Sequence, residues 1–294
     1  MKIYNALSID VEEYFQVEAL REVIPYCQWE ELPPRINKNI NHILDVLEAK
    51  KIKATFFCLG WVARKHPNII KKIATAGHEV ASHGWSHTPI FRLNPEEFRR
   101  EIRKSKALLE DLAGKEIAGF RAPTYSITSQ TIWALQILAE EGYRYDSSIF
   151  PIYHDLYGFP EAPRFPFFLK DIHLVEFPIS TFTLGNLKIP ISGGGYFRLF
   201  PYKLTRFLLQ KFLQKEQKPF IFYIHPWEFD PHQPRFKAPL KSRFRHYLNL
   251  SKTKKRFEKL LDDFSFAPVK DVLEKFKTLP SWTLGELKRC ASKK

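Results

Sequence analysis

Cysteine is scarce: the 294 residues hold three, Cys27, Cys58 and Cys290, widely spaced and without a CxxC pair. An odd, scattered set excludes a disulfide framework and a zinc ribbon, and it points to a reducing compartment. Long apolar runs are also missing. No stretch approaches the roughly 18 to 20 apolar residues that a membrane-spanning helix needs, which argues against an integral membrane protein. The opening MKIYNALSIDVEEYF reaches acidic residues before an apolar core or a small-residue cleavage site could form, so no export signal is legible and a cytoplasmic location is expected. Internal repeats and low-complexity segments are absent as well.

What is present suffices for a large core: 44% of residues are hydrophobic and 15% aromatic. The net charge is +14, from 46 Lys and Arg against 32 Asp and Glu, and much of the excess falls late, as in Lys252-Thr-Lys-Lys-Arg256. Such a balance suits an anionic partner. No nucleic-acid motif accompanies it, so it reads as a solvated helical face and no nucleic-acid partner is expected.

Short β-rich runs alternate with helical patterns. Strands are expected at 3–9, 54–59, 78–82, 117–120, 174–177 and 220–224, with a closing pair at 264–266 and 269–276. Ile36, Ile40, Ile43, Leu44 and Leu47 recur at helical spacing, and further helices are expected at 61–76, 129–141 and 202–214. Asn94-Pro95-Glu96-Glu97 opens another, with cap, proline and acidic first turn in favoured places. About seven strand–helix units imply parallel strands with crossover helices, and a barrel-like closure rather than two small domains. The proline- and aromatic-rich stretch 150–171 reads as a long ordered loop. The expected organisation is one domain over 1–294, with the core motifs in 1–230 and a basic helical extension over 235–294.

Ionisable residues fall at strand ends. Asp10 and Glu12 close the first strand, His83 follows the third, Arg121 ends the fourth and His225 follows 220–224. In a parallel barrel these ends converge on one rim, where active sites are built. His83 and His87, four apart, could meet on one side of a helical turn and hold a cation, with Asp10 or Glu12 adding a carboxylate. Taken singly, the histidines fit surface or capping roles equally well, and Arg121 fits a structural ion pair.

Together these segments resemble the polysaccharide deacetylases with a NodB-homology domain, carbohydrate esterase family four. The resemblance covers nearly the whole chain and is densest at 8–12, 55–59, 78–87, 121–125 and 221–225. It implies a distorted (β/α)7-type barrel that removes N-acetyl groups from an amino-sugar carbohydrate with the help of a divalent metal, most simply Zn2+. Carried over residue by residue, it makes Asp10 the catalytic base and Glu12, His83 and His87 the metal ligands. Arg121 would orient the base, the Tyr125 amide would face the oxyanion and His225 would be the general acid. Pro123, Gly194, Tyr196 and Trp227 would meet the substrate.

Two departures stand out. Most relatives carry adjacent aspartates where this chain has Asp10-Val11-Glu12-Glu13; strand alternation favours Glu12 over Glu13 as ligand. The fourth motif is reduced to Asp146-Ser147-Ser148, which leaves Asp146 as the candidate tuning partner of His225. The segments beginning Ser192-Gly-Gly-Gly195 and His225-Pro-Trp227 resemble the subgroup found with bacterial exopolysaccharide biosynthesis. Competing readings are a C–N hydrolase of the same fold acting on a cyclic imide or ureide, and a non-catalytic binder of an anionic glycan or nucleic acid.

Overall fold

The computed structural model of the protein describes residues 3–185 and 187–291. Its strands are Asn5–Val11 (β1), Thr55–Cys58 (β2), Glu79–Ser82 (β3), Gly119–Phe120 (β4), Tyr145–Asp146 (β5), Phe167–Leu169 (β6), Leu174–Glu176 (β7), Thr181–Leu184 (β8), Leu187–Pro190 (β9), Ile221–Ile224 (β10), Phe266–Ala267 (β11) and Ser281–Trp282 (β12). The main sheet runs β10-β1-β2-β3-β4-β5-β7-β6-β12, and its seven members from β10 to β7 are mutually parallel. The gap between β7 and β10 is bridged by irregular chain: Ile221 N–H donates to Ser180 Oγ at 3.0 Å and Tyr223 N–H to Ser192 O at 2.7 Å. The result is the expected distorted barrel.

Strand alternation explains which residues enter it. Ala6, Phe57, Ala81, Ile221 and Tyr223 pack together inside, while Leu7, Ile9, Phe56, Val80, Phe222 and Ile224 pack against the helices outside. The inner row of β1 includes Asp10, and continuing it one residue past the ends of β1, β3, β4 and β10 delivers Glu12, His83, Arg121 and His225 to the interior. Glu13 turns the other way, and its Oε1 accepts from the N–H groups of Arg35 (2.7 Å) and Ile36 (2.9 Å), capping the helix Ile36–Ala49.

Several expectations change. The helix expected at 61–76 is two, Gly60–Lys65 and Pro67–Thr75, because Pro67 drives His66 out of helical geometry. The stretch 269–276 is not a strand: Val269–Leu273 is helical behind Pro268, and of the expected closing pair only the first forms, as β11 alongside β1. The loop at 150–171 ends in β6, antiparallel to β7. The region 235–294 is not purely helical, since it contributes β11 and β12 to the sheet. The helix Pro95–Ala113 has the expected Asn94 cap, and Glu97 completes it as a capping box. No helix among the described residues is long and apolar enough to cross a membrane.

Candidate active site

The inner row ends in a cavity of about 520 Å³ at the C-terminal ends of the strands, with Asp10, Glu12, His83, His87 and His225 in its wall. A larger cavity, about 740 Å³, lies at the opposite end around Lys53, Glu79 and Lys270. It gathers no metal-ligating set among the described residues, whereas the first cavity holds Glu12, His83 and His87.

Arg121, fully buried, anchors the floor. Its Nη1 donates to Asp10 Oδ1 and to Ser8 Oγ, both at 2.7 Å, and its Nε and Nη2 donate to Ser147 O and Oγ, both at 3.0 Å. The guanidinium also lies 4.1 Å from the centre of the Phe57 ring. One face of Asp10 is therefore fixed, and its Oδ2 turns toward His225 Nε2, 3.9 Å away.

Glu12, His83 and His87 are buried, and each offers one ligand atom within 4.8 Å of the others. His83 Nδ1 is 2.7 Å from the Arg121 carbonyl, which fixes the ring with Nε2 as the free donor, the outer-shell arrangement usual for a metal-binding histidine. Burial, first of all, lowers its pKa to about 4, so the ring is neutral, as a ligand must be. Burial alone would raise the Glu12 carboxyl; the His87 ring, whose Nε2 is 2.6 Å away, together with His225 and His83 outweighs it and holds the group well below the usual carboxylate range. Glu12 Oε2 faces the His87 Nε2 ligand atom, a pairing that a cation bound between them would satisfy, and His87 Nδ1 is buried without a hydrogen-bond partner. The donor set fits a divalent ion. The two histidines do not share a helical turn: 83–87 is a loop, folded back by left-handed residues at Gly84 (φ 77°) and His87 (φ 52°).

His225 is oriented by Glu228, not by Asp146. Its Nδ1 is 2.5 Å from Glu228 Oε1, and Glu228 Oε2 accepts from the buried Arg198 Nε at 2.6 Å. Burial would lower the His225 ring, but the Glu228 hydrogen bond, with the charges of Glu12, Glu228 and Asp10, raises it to about 9. Asp146 is buried elsewhere, bonded to Ser148 and beside Glu176, because β5 points it away from the cavity. Trp227 stacks on His225 with ring centres 5.2 Å apart and donates from Nε1 to Glu12 Oε1 at 2.9 Å.

The substrate-facing candidates divide. Tyr196 and Trp227 line the cavity, whereas Pro123 and Gly194 sit behind it. The triple glycine serves closure of the barrel: a Cβ at Gly193 would lie 1.9 Å from Tyr223 O, and one at Gly194 would lie 2.5 Å from the Tyr223 ring. The close approach is to β10. The Tyr125 N–H, expected to face an oxyanion, donates to Ala122 O at 3.1 Å, since successive left-handed residues at Thr124 and Tyr125 fold the turn back. Its hydroxyl is instead buried in the cavity wall without a partner. Glu228 and Arg198 had gone unassigned. The i, i+3 spacing of His225 and Glu228 around Pro226 was a legible cap signal, whereas Arg198 had none.

Fold and cluster define an α/β barrel protein with an acid–histidine centre of metal-ligand composition at its C-terminal rim. Residues 26–145 match the polysaccharide deacetylase family, and residues 147–274 match a domain of unknown function, DUF3473. The chain is 41% identical over 95 residues to a peptidoglycan-N-acetylglucosamine deacetylase of Bacillus cereus, covering 32% of this chain and 34% of that protein. It is 38% identical over 63 residues to a chitooligosaccharide deacetylase of Rhizobium leguminosarum bv. trifolii, covering 21% and 29%. The alignments thus span about a third of the length of these curated relatives. A structure from Mycobacterium smegmatis assigned to the polysaccharide deacetylases superposes over 95% of this chain and 94% of that one, with a TM-score of 0.60 and 19% identity, a likeness of fold.

Proposed function

We propose that the protein is a metal-dependent deacetylase that hydrolyses N-acetyl groups of an amino-sugar carbohydrate. One arrangement carries the reading: a buried Glu12–His83–His87 donor set, with Asp10 and His225 side by side in the wall of the same cavity. Glu12, His83 and His87 would hold a divalent cation, zinc by our choice from their nitrogen and carboxylate donors, which would supply Lewis acidity for the acetamide carbonyl and for water.

Asp10, steadied by Arg121, takes the proton of the attacking water through Oδ2. The C–N bond breaks as His225 Nε2 passes a proton to the departing nitrogen, with Nδ1 held by Glu228. Acetate and a free amino sugar leave. Arg121 and Glu228 are positioning residues in this scheme. Tyr196 supplies a ring for the sugar, whereas both faces of Trp227 are covered, by His225 and by His246.

The resemblance of the segments at 192–198 and 225–231 supports a role in exopolysaccharide biosynthesis. Three free thiols, Cys27, Cys58 and Cys290, support a cytoplasmic setting.

Acetate release from an N-acetylglucosamine oligomer tests the reading. Asp10→Asn and His83→Ala are each expected to lower kcat/KM by about 10²- to 10⁴-fold. Wild-type rates in both variants would sink it.

A further inference from the structure

The mouth of the cavity is built unlike its floor. Leu156, Leu199 and Phe244 line the cavity yet are 42%, 44% and 56% exposed. Leu240, 80% exposed, lies one turn before Phe244 on the helix Leu240–Tyr247 and extends the lip outward. Aliphatic side chains make no hydrogen bonds to sugar hydroxyls, and a clustered apolar rim marks an interaction surface.

Beside this lip, cations outnumber carboxylates. Asp155 is shared by Lys241 and by Arg245, at 3.0 Å from the latter. Glu18, on the facing wall, is shared by Arg21 at 3.6 Å and Arg92 at 2.8 Å. Each carboxylate meets two cations, so positive charge is left over next to the apolar surface.

We propose that the substrate is an acetamido sugar joined through phosphate to a hydrocarbon chain. The sugar reaches Asp10 and His225, the phosphate sits at the Lys241–Arg245 rim, and the chain lies on Leu156, Leu199 and Phe244. This rests on the deacetylase reading and narrows its substrate class. A free polysaccharide would leave the lip in water, whereas a lipid-carried sugar covers it. The net charge of +14 adds attraction toward the anionic surface in which such a lipid resides.

The test compares three ligands below their critical micelle concentrations: the decyl and methyl esters of N-acetylglucosamine 1-phosphate, and decyl N-acetylglucosaminide without phosphate. Binding by calorimetry and acetate release are measured on the metal-reconstituted protein. The decyl phosphate ester is expected to show a KM about tenfold or more below the methyl ester, because burying about two methylenes accounts for that much. The phosphate-free decyl glycoside is expected to fall between. In Phe244→Ser and Leu199→Ser the decyl-to-methyl ratio should move toward one.

Equal KM for the two esters, or an unchanged ratio in both variants, overturns the proposal. A phosphate-free glycoside as good as the decyl ester overturns the role of the phosphate. Preferential binding of the decyl ester without acetate release supports the lip and contradicts the deacetylase reading. Equal acetate release from all three does the reverse.

Discussion

At the scale of single residues, the site depends on groups that reach the chemistry through one another. Trp227 touches the donor set through one hydrogen bond, Nε1–H to Glu12 Oε1, and outer-shell partners of this kind tune metal affinity. Trp227→Phe keeps the stack on His225 and removes the bond. It should weaken metal binding by about tenfold to a hundredfold, read by competition against a chromophoric chelator. An unchanged affinity would show that the bond does not steady the ligand.

Glu228 acts on His225 in the same indirect way. Arg198 holds Glu228 in place and also donates to the carbonyls of Arg245 (2.8 Å), His246 (2.9 Å) and Leu248 (2.9 Å), near the end of the helix that walls the cavity. Glu228→Gln keeps the size and loses the carboxylate that fixes the ring. Its expected signature is a kcat lower by about 10²-fold with KM and metal content unchanged. Loss of KM and metal together would assign Glu228 to folding.

At the scale of elements, the pairing of β2 with β3 contains a titrating joint. His78 is buried, and its Nδ1 accepts from the Ala54 N–H at 3.2 Å, which requires a neutral ring. Burial, with Lys53 nearby, lowers its pKa to about 4 from 6.5. Between those values the unfolded chain binds more protons than the folded one, so stability falls as pH drops through that window and levels below it. The loss is expected to be at most about 3 kcal/mol, read from urea unfolding at pH values across the window. His78→Gln, which keeps an acceptor but cannot titrate, should flatten its share of the slope; an identical slope would discount the joint.

The elements also show what a sequence reveals. β1, β2, β3 and β10 carry apolar runs and were legible, and the site residues that follow them came with them. β5, only Tyr145–Asp146, is too short to show a period, so the direction of Asp146 could not be read. The strand-like 269–276 turned helical because Pro268 starts a helix well. The loop 83–87 was hidden because left-handed backbone at His87 has no sequence signature, although the spacing of the pair survived. Capping groups supplied from far away, such as Glu13 on the helix Ile36–Ala49, were equally invisible.

At the scale of the whole molecule, neither matched segment holds the site alone. Asp10 and Glu12 precede both; His83, His87 and Arg121 lie in the deacetylase-family segment; Arg198, His225, Trp227 and Glu228 lie in the segment of unknown function. The barrel brings them together because β1 pairs with β2 on one side and β10 on the other. In the proposed reaction the second segment therefore supplies the proton donor and its positioning carboxylate, and it forms much of the cavity wall. The central claim is that this joint site is a metal-dependent deacetylase. Its most direct test is acetate release from an N-acetylglucosamine oligomer while divalent metal is titrated into chelator-stripped protein. The account predicts no turnover without metal and a linear rise that ends at one ion per chain. Full turnover by the stripped protein would contradict it.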